Sequence, residues 1–311
     1  MHDPKRILII GGAGFIGAPT ARLLLEQGQQ VVVLDNLSSG QLENLPLKHP
    51  NFEFVEGDVL EYPLVVDLLN GCDAVLHLAA ISSVPQSIEN PIYSFQVNTQ
   101  GFLHVLCAIN QAKRPIRFVF ASSAASYGGG GELPCRDDLP LIGAPLSPYA
   151  LQKIHNEMYA ELYARVYNTP SLALRYFNVY GKGQDPYSPY SGVMSRFLEA
   201  YQNDQELIIF GDGMQSRDFI YVEEVALANC LALQSTVTGI LNIATGEAKT
   251  LLQLLEYIET IGGKPAKLRF EPKRLGDIQS SYAAVFKAKE QLGFQSSLSL
   301  QEGIKKMLEK A

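Results

Sequence analysis

A short strand-like run, Arg6–Ile10, passes without a break into Gly11-Gly12-Ala13-Gly14-Phe15-Ile16-Gly17, and a helical pattern runs over residues 15–27. That order dictates strand, tight turn and helix. Gly11 permits the turn, Gly14 lets the backbone approach a bound pyrophosphate, and Gly17 lets helix and strand pack closely, which leaves the first helical N–H groups aimed at phosphates. A glycine set alone is a weak signal, equally at home in a plain surface turn. Here the next strand, 31–35, ends in Asp35, eighteen residues past Gly17. A carboxylate at that point accepts from both ribose hydroxyls and repels a 2′-phosphate. Asn36 follows it instead of an arginine, so NAD is expected over NADP.

The alternation continues. Strands at 52–55, 74–78, 117–121 and 171–176 are separated by helical patterns at 64–70, 92–111 and 148–167. Such grammar implies a parallel sheet covered on both faces, and six or seven strands suit a doubly wound (Rossmann) α/β fold. Beyond residue 177 the pattern loosens into a Pro/Tyr/Gly/Ser-rich loop at 181–192, helices at 193–202, 222–235 and 251–261, and strands at 207–210, 240–244 and 267–270. Two helices close the chain at 286–292 and 301–309. This part reads as a smaller mixed α/β substrate-binding lobe. The expected division is a dinucleotide-binding domain at 1–177, to which 214–246 returns, and a second lobe from 178–213 and 247–311. No repeat or flexible linker separates them, so a shared cleft is expected.

Composition narrows the function. With 25 Lys+Arg against 32 Asp+Glu the net charge is −7, which argues against nucleic acid or an anionic membrane as partner. No apolar run approaches spanning length, and the apolar stretch after residue 6 is too short for a signal segment, so a cytoplasmic protein is expected. Cys72, Cys107, Cys135 and Cys230 are scattered, which indicates neither a disulfide framework nor a metal site.

The candidate chemistry lies at Tyr149 and Lys153, four residues apart on a helix and therefore on one face. A tyrosine of pKa about 10 needs roughly 4 kcal/mol to serve as a base at neutral pH. A neighbouring ammonium and a positively charged nicotinamide both offset that cost. A serine at the end of the preceding strand could hold the same substrate oxygen, Ser123 or its neighbour Ser122. A Tyr-x-x-x-Lys pair by itself is common on amphipathic helices. It gains meaning only behind a dinucleotide turn and a strand-end Ser-Ser.

Taken together, Gly11-x-x-Gly14-x-x-Gly17, Asp58-Val59, Leu78-Ala79-Ala80, Asn98, Ser122-Ser123…Tyr127-Gly128, Tyr149-x-x-x-Lys153 and Arg175-Tyr176-Phe177-Asn178-Val179-Tyr180-Gly181 follow the order of the extended short-chain dehydrogenase/reductase family, which this chain resembles over nearly its whole length. The resemblance implies that Asp58 and Val59 contact adenine, and that Phe15, Ile16, Leu78, Ala79, Ala80, Asn98 and Tyr176 belong to the cofactor site with the glycines, Asp35, Asn36, Tyr149 and Lys153. It favours Ser123 as the catalytic hydroxyl, four residues before Tyr127-Gly128. It also implies a homodimer through the helices at 92–111 and 148–167.

Within the family, the segments at 174–186 and 211–219 are similar to UDP-hexose 4-epimerases, particularly those acting on UDP-N-acetylhexosamines. Arg217, after a glycine turn, and Arg274, ahead of Leu275-Gly276-Asp277, could form an anion site in a net-acidic chain. By the likeness Asn178, Gln184, Val193, Arg217, Arg274 and Asp277 contact UDP. Ser281, small where plain-hexose enzymes carry bulk, would admit a 2-acetamido group, and Ser83 is a candidate sugar contact whose polarity also suits a turn. Three departures stand out. The acid that dehydratases and decarboxylases carry two residues before Tyr127 is Ala125 here. A glycine run, 128–131, follows Tyr127, and Ala283-Ala284 replace a helix-capping Asp, at about 1 kcal/mol. The expectation is an NAD-dependent UDP-sugar 4-epimerase. The rival expectations are a dehydratase, decarboxylase or ketoreductase that finds its acid elsewhere, and a non-catalytic dinucleotide sensor.

Overall fold

The computed structural model describes residues 5–129, 132–141, 143–184, 192–273 and 278–309 of the chain. The first half runs β1 (Arg6–Ile10), α1 (Gly17–Glu26), β2 (Gln30–Asp35), β3 (Phe52–Glu56), α2 (Tyr62–Leu69), β4 (Ala74–His77), α3 (Val84–Glu89), α4 (Pro91–Phe95), α5 (Gly101–Gln111), β5 (Arg117–Ser123), α6 (Pro148–Tyr167) and β6 (Ser171–Tyr176). The second half runs β7 (Asn178–Tyr180), α7 (Val193–Gln202), β8 (Glu206–Phe210), β9 (Ser216–Arg217), β10 (Phe219–Tyr221), α8 (Val222–Gln234), β11 (Gly239–Ile243), β12 (Lys249–Thr250), α9 (Leu251–Gly262), β13 (Lys267–Glu271), β14 (Ser280–Ser281), α10 (Phe286–Leu292) and α11 (Leu300–Leu308).

Seven strands form one parallel sheet in the order β11-β6-β5-β4-β1-β2-β3. Chain order reverses between β1 and β4, and in doubly wound sheets the ligand crevice opens at such a point, past the carboxyl ends of the strands. The central strands are apolar on both sides because helices cover both faces. Ile7 and Ile9 face one core with Leu24 and Val33, while Leu8 and Ile10 face another with Phe102, Phe118 and Phe120. A third cluster, Tyr180, Phe197, Leu254 and Ile304 among others, lies under the second half of the chain. There β7 pairs with β10, β8 with β13, and β9 lies between β12 and β14.

Local structure departs from the sequence pattern at three places. Helix α1 starts at Gly17, not Phe15, because Phe15 and Ile16 still belong to the turn. The expected helix at 92–111 is interrupted by a π-helical turn, Gln96–Gln100, that buries Asn98 and Thr99. Its apolar spacing survives the extra residue, so periodicity did not reveal the break. Helix α3 is too short to show a helical period, with Pro85 in its first turn and Pro91 just beyond it. Residues 283–284 provide no cap to α10: its N-cap, Val285, makes no side-chain hydrogen bond.

Candidate active site

A cleft of about 1050 Å³ opens at the carboxyl ends of the sheet strands and extends to β9 and β14. Its first end is the glycine turn. Gly11 has φ +83°, and a Cβ there would lie 2.5 Å from the Ala79 nitrogen. A Cβ on Gly17 would lie 2.5 Å from the Gly11 carbonyl. At Gly14, by contrast, a Cβ would meet only that carbonyl, at 3.4 Å. Two of the glycines therefore serve the protein's own packing, whereas the third leaves space along the cleft, as the approach of a pyrophosphate requires.

Asp35 stands at the carboxyl end of β2. Its Oδ2 accepts from the Ala13 N–H at 2.9 Å and its Oδ1 from the Leu37 N–H at 2.9 Å. Burial raises its pKa, against the two backbone donors that lower it. Each oxygen keeps a lone pair for a ligand hydroxyl. Asn36 Nδ2 donates to Asp58 Oδ2 at 2.7 Å, which fixes both residues on the cleft wall, and Val59 lines it beside them. Phe15, Ile16, Leu78, Ala79, Ala80 and Tyr176 also line the cleft, and the Tyr176 hydroxyl donates to Asn229 Oδ1 at 2.6 Å. These residues fit a dinucleotide with free ribose hydroxyls.

At the middle of the cleft, Tyr149 and Lys153 share one face of α6, and Ser123 ends β5. Ser123 hydrogen-bonds the Tyr149 side chain, which favours the phenolate, but burial is the larger effect and raises the Tyr149 pKa. Ser123 Oγ also accepts from the Ala125 N–H at 3.1 Å. Lys153 is 3% exposed, donates to the Ala121 carbonyl at 2.8 Å, and lies 5.7 Å from the Tyr149 ring centre. Burial lowers its pKa to about 8, partly countered by Glu157 one turn further on. His77 is neutral in this surrounding: burial first, then the Lys153 charge, lowers it to about 3.

The geometry separates the two serines. Ser122 Oγ donates to Glu157 Oε1, and Glu157 forms a buried bidentate ion pair with Arg175 at 2.7 and 2.8 Å. The Ser122 hydroxyl is therefore engaged by Glu157, and Ser123 is the hydroxyl beside Tyr149.

The far end comes from the second half of the chain. Strand β9 sets Arg217 beside Ser281 of β14, and both line the cleft with Asn178, Gln184 and Val193. Asn178 Nδ2 donates to the Asp218 carbonyl at 3.2 Å. The Asp218 side chain, fully buried, accepts from the Thr245 and Gly246 N–H groups and from the Thr245 hydroxyl. It pins the loops that carry Arg217, and only tertiary structure reveals this. Arg274 and Asp277 lie outside the described residues, as do 130 and 131 of the glycine run.

Two expected contacts need correction. Asn98 does not reach the cleft: its Oδ1 accepts from the Ile81 N–H at 2.7 Å and its Nδ2 donates to the Ile81 carbonyl at 3.0 Å and Gln152 Oε1 at 2.7 Å. It holds the loop after β4 against α6. Ser83 is buried and caps α3, its Oγ accepting from the Gln86 N–H at 3.3 Å, while Ser82, Val84 and Gln86 line the cleft around it. The sequence reading missed those neighbours and the 37–41 loop beside Asp35, because short polar loops carry no periodic signal. Among the described lining residues the carboxylates are Asp35 and Asp58, both at the glycine-turn end. Ala125 lines the middle, where an eliminating enzyme needs an acid.

Comparison with known proteins agrees with this arrangement. The sequence profile described as "NAD dependent epimerase/dehydratase family" matches residues 7–244. A putative UDP-glucose 4-epimerase of Methanocaldococcus jannaschii is 38% identical over 304 residues, 97% of either chain. Among solved structures, the UDP-glucose 4-epimerase of Thermotoga maritima with UDP-glucose has a TM-score of 0.91 at 37% identity, covering 97% of both chains. The UDP-N-acetylglucosamine 4-epimerase of Methanobrevibacter ruminantium, in complex with UDP-N-acetylmuramic acid, has a TM-score of 0.93 at 35% identity, covering 99% of this chain and 98% of its own. Profile, relatives and superpositions coincide along nearly the full length, and the chain belongs to the NAD dependent epimerase/dehydratase family.

Proposed function

We propose that the protein is an NAD-dependent 4-epimerase of UDP-sugars, with UDP-glucose/UDP-galactose or the corresponding N-acetylhexosamine pair as substrates. The observation that carries this reading is the middle of the cleft: Ser123, Tyr149 and Lys153 converge there, and among the described residues no carboxylate lines the cleft beside them, Glu157 being held off it by Arg175 and Ser122. A dehydratase or decarboxylase would need such an acid. The two solved relatives bind UDP-glucose and a UDP-N-acetylated sugar, which supports the substrate class.

NAD, when bound, supplies a reversible hydride acceptor. The glycine turn, Asp35 and the residues of β4's following loop would hold it. Tyr149 takes the proton of the sugar C4 hydroxyl, and Ser123 holds that oxygen as it becomes a carbonyl. Lys153 adds positive charge beside the phenol, which lowers the energy of the anion. Arg217, with Arg274, anchors the diphosphate, and Asn178, Gln184, Val193 and Asp277 complete the nucleotide site. A firm UDP anchor with few sugar contacts lets the 4-keto sugar turn its other face before Tyr149 returns the proton. Ser281, adjacent to Arg217, leaves room for an acetamido group.

For the two-lobe division, β11 supports the return of 214–246 to the main sheet, whereas β9 and β10, inside that range, pair with β12, β14 and β7, so we place the return after β10. We also assign the protein to the cytoplasm and to a homodimer. Among the described residues no helix is long and apolar enough to cross a membrane.

Incubation with UDP-glucose and with UDP-N-acetylglucosamine, followed by NMR, tests the activity. The expected product is the 4-epimer of at least one, without net loss of water or CO₂. A stable keto or unsaturated sugar refutes it.

A further inference from the structure

Two carboxamide oxygens of cleft-lining residues are enclosed without any hydrogen-bond partner, Oε1 of Gln184 and Oε1 of Gln86. Gln184 belongs to the nucleotide end assigned above. Gln86 lies elsewhere. It sits in the first turn of α3, and the next residue, Ser87, accepts through Oγ from the Tyr149 N–H at 3.2 Å. The same Ser87 hydroxyl donates to the Val84 carbonyl at 2.7 Å, so this turn is fastened to the start of α6. Gln86 thus lines the cleft on the Tyr149 side, far along the chain from both the Asp35 end and β9.

An enclosed polar group with no partner is uncommon and unfavourable, and its partner is then supplied by a ligand or by water. The two ends of a glutamine amide are assigned from hydrogen bonding, so the enclosed end is an acceptor or, with the amide turned over, a donor. A hydroxyl satisfies either one. Diphosphate oxygens satisfy only a donor. The part of a nucleotide sugar that reaches Tyr149 and also carries hydroxyls is the hexose ring.

We propose that Gln86 hydrogen-bonds a hydroxyl of the sugar ring and thereby contributes to hexose selection, an inference that rests on the UDP-sugar reading above. The side chain contributes to binding of the sugar and not to that of UDP. Gln86→Met keeps the length and removes both polar ends.

The test compares equilibrium binding of UDP, UDP-glucose and UDP-N-acetylglucosamine to wild-type and Gln86→Met protein, both loaded with NAD. The expected result is an affinity loss of about three- to tenfold for a UDP-sugar, the range of one neutral hydrogen bond, with UDP affinity, NAD retention and melting temperature unchanged. Equal losses for UDP and UDP-sugar would put Gln86 at the nucleotide and overturn the proposal. Unchanged UDP-sugar affinity overturns it as well, and so does loss of NAD together with every ligand, which marks a structural residue. Wild-type protein that binds UDP but no UDP-sugar would overturn the functional reading itself.

Discussion

Burial alone moves the Tyr149 phenol away from the anion that a base at neutral pH must form, and Ser123 opposes that only in part. The reading of Tyr149 as base therefore depends on positive charge gathered next to it. Tyr149→Phe removes the proton acceptor and little else, so turnover should fall by about 10²- to 10⁴-fold, the usual contribution of a positioned acid–base group. NAD should remain bound, as read from its absorbance after gel filtration; loss of NAD would show that the phenol serves binding instead.

Lys153 gives a prediction with a pH window. Its pKa falls from 10.5 to about 8 on folding, so between those values the unfolded chain holds more protons than the folded one. The destabilisation is complete below about pH 8 and fades as pH rises towards 10.5. Lys153→Met should thus abolish activity and yet stabilise the NAD-free protein at pH 7, by about 1–3 kcal/mol. Urea denaturation at pH 7 and pH 10 should show that gain shrinking with pH, and a variant less stable than wild type at pH 7 would contradict it. The sequence revealed Tyr149 and Lys153 through their spacing. It did not reveal the burial that sets their charge, which comes from β4, β5 and α6 closing around them.

At the scale of elements, the glycine turn, β1, α1 and β2 were legible because each glycine has a backbone reason that the motif states. Asn98 was misread for the opposite reason. Its place in a π-helical turn gives it Ile81 and Gln152 as partners, and neither a motif nor a period of 3.6 shows such a pairing. Helix α6 carries a second consequence. Leu151, Met158, Leu162 and Val166 lie at helical spacing and are exposed, Met158 by 62%, and Ile88, Ile92 and Phe95 are exposed on neighbouring segments, Ile92 by 74%. An apolar stripe of that extent fits a second copy of the chain. Sedimentation at micromolar concentration should give a dimer, and Met158→Glu should shift it towards monomer by desolvating a charge in the contact. A wild-type monomer would remove the dimer from the account.

Over the whole molecule, the net charge of −7 describes the exterior and not the cleft, whose described lining sets Lys153 in the middle and Arg217 at the far end against Asp35 and Asp58 at the glycine-turn end. The parallel sheet follows from alternating strands and helices, which is why the fold class was legible from the start. The second half was less so: β7, β9, β10, β12 and β14 are two or three residues each, too short for any pattern, and yet they set Asn178, Arg217 and Ser281 around the cleft. In the proposed reaction this cleft inverts C4 by removing and restoring the same hydrogen. UDP-glucose and UDP-N-acetylglucosamine carrying deuterium at C4 test it most directly, with the products followed by NMR in ordinary water. The expected product is the 4-epimer with deuterium retained at C4. An epimer whose deuterium has exchanged with solvent, or the absence of any epimer from either sugar, would contradict it.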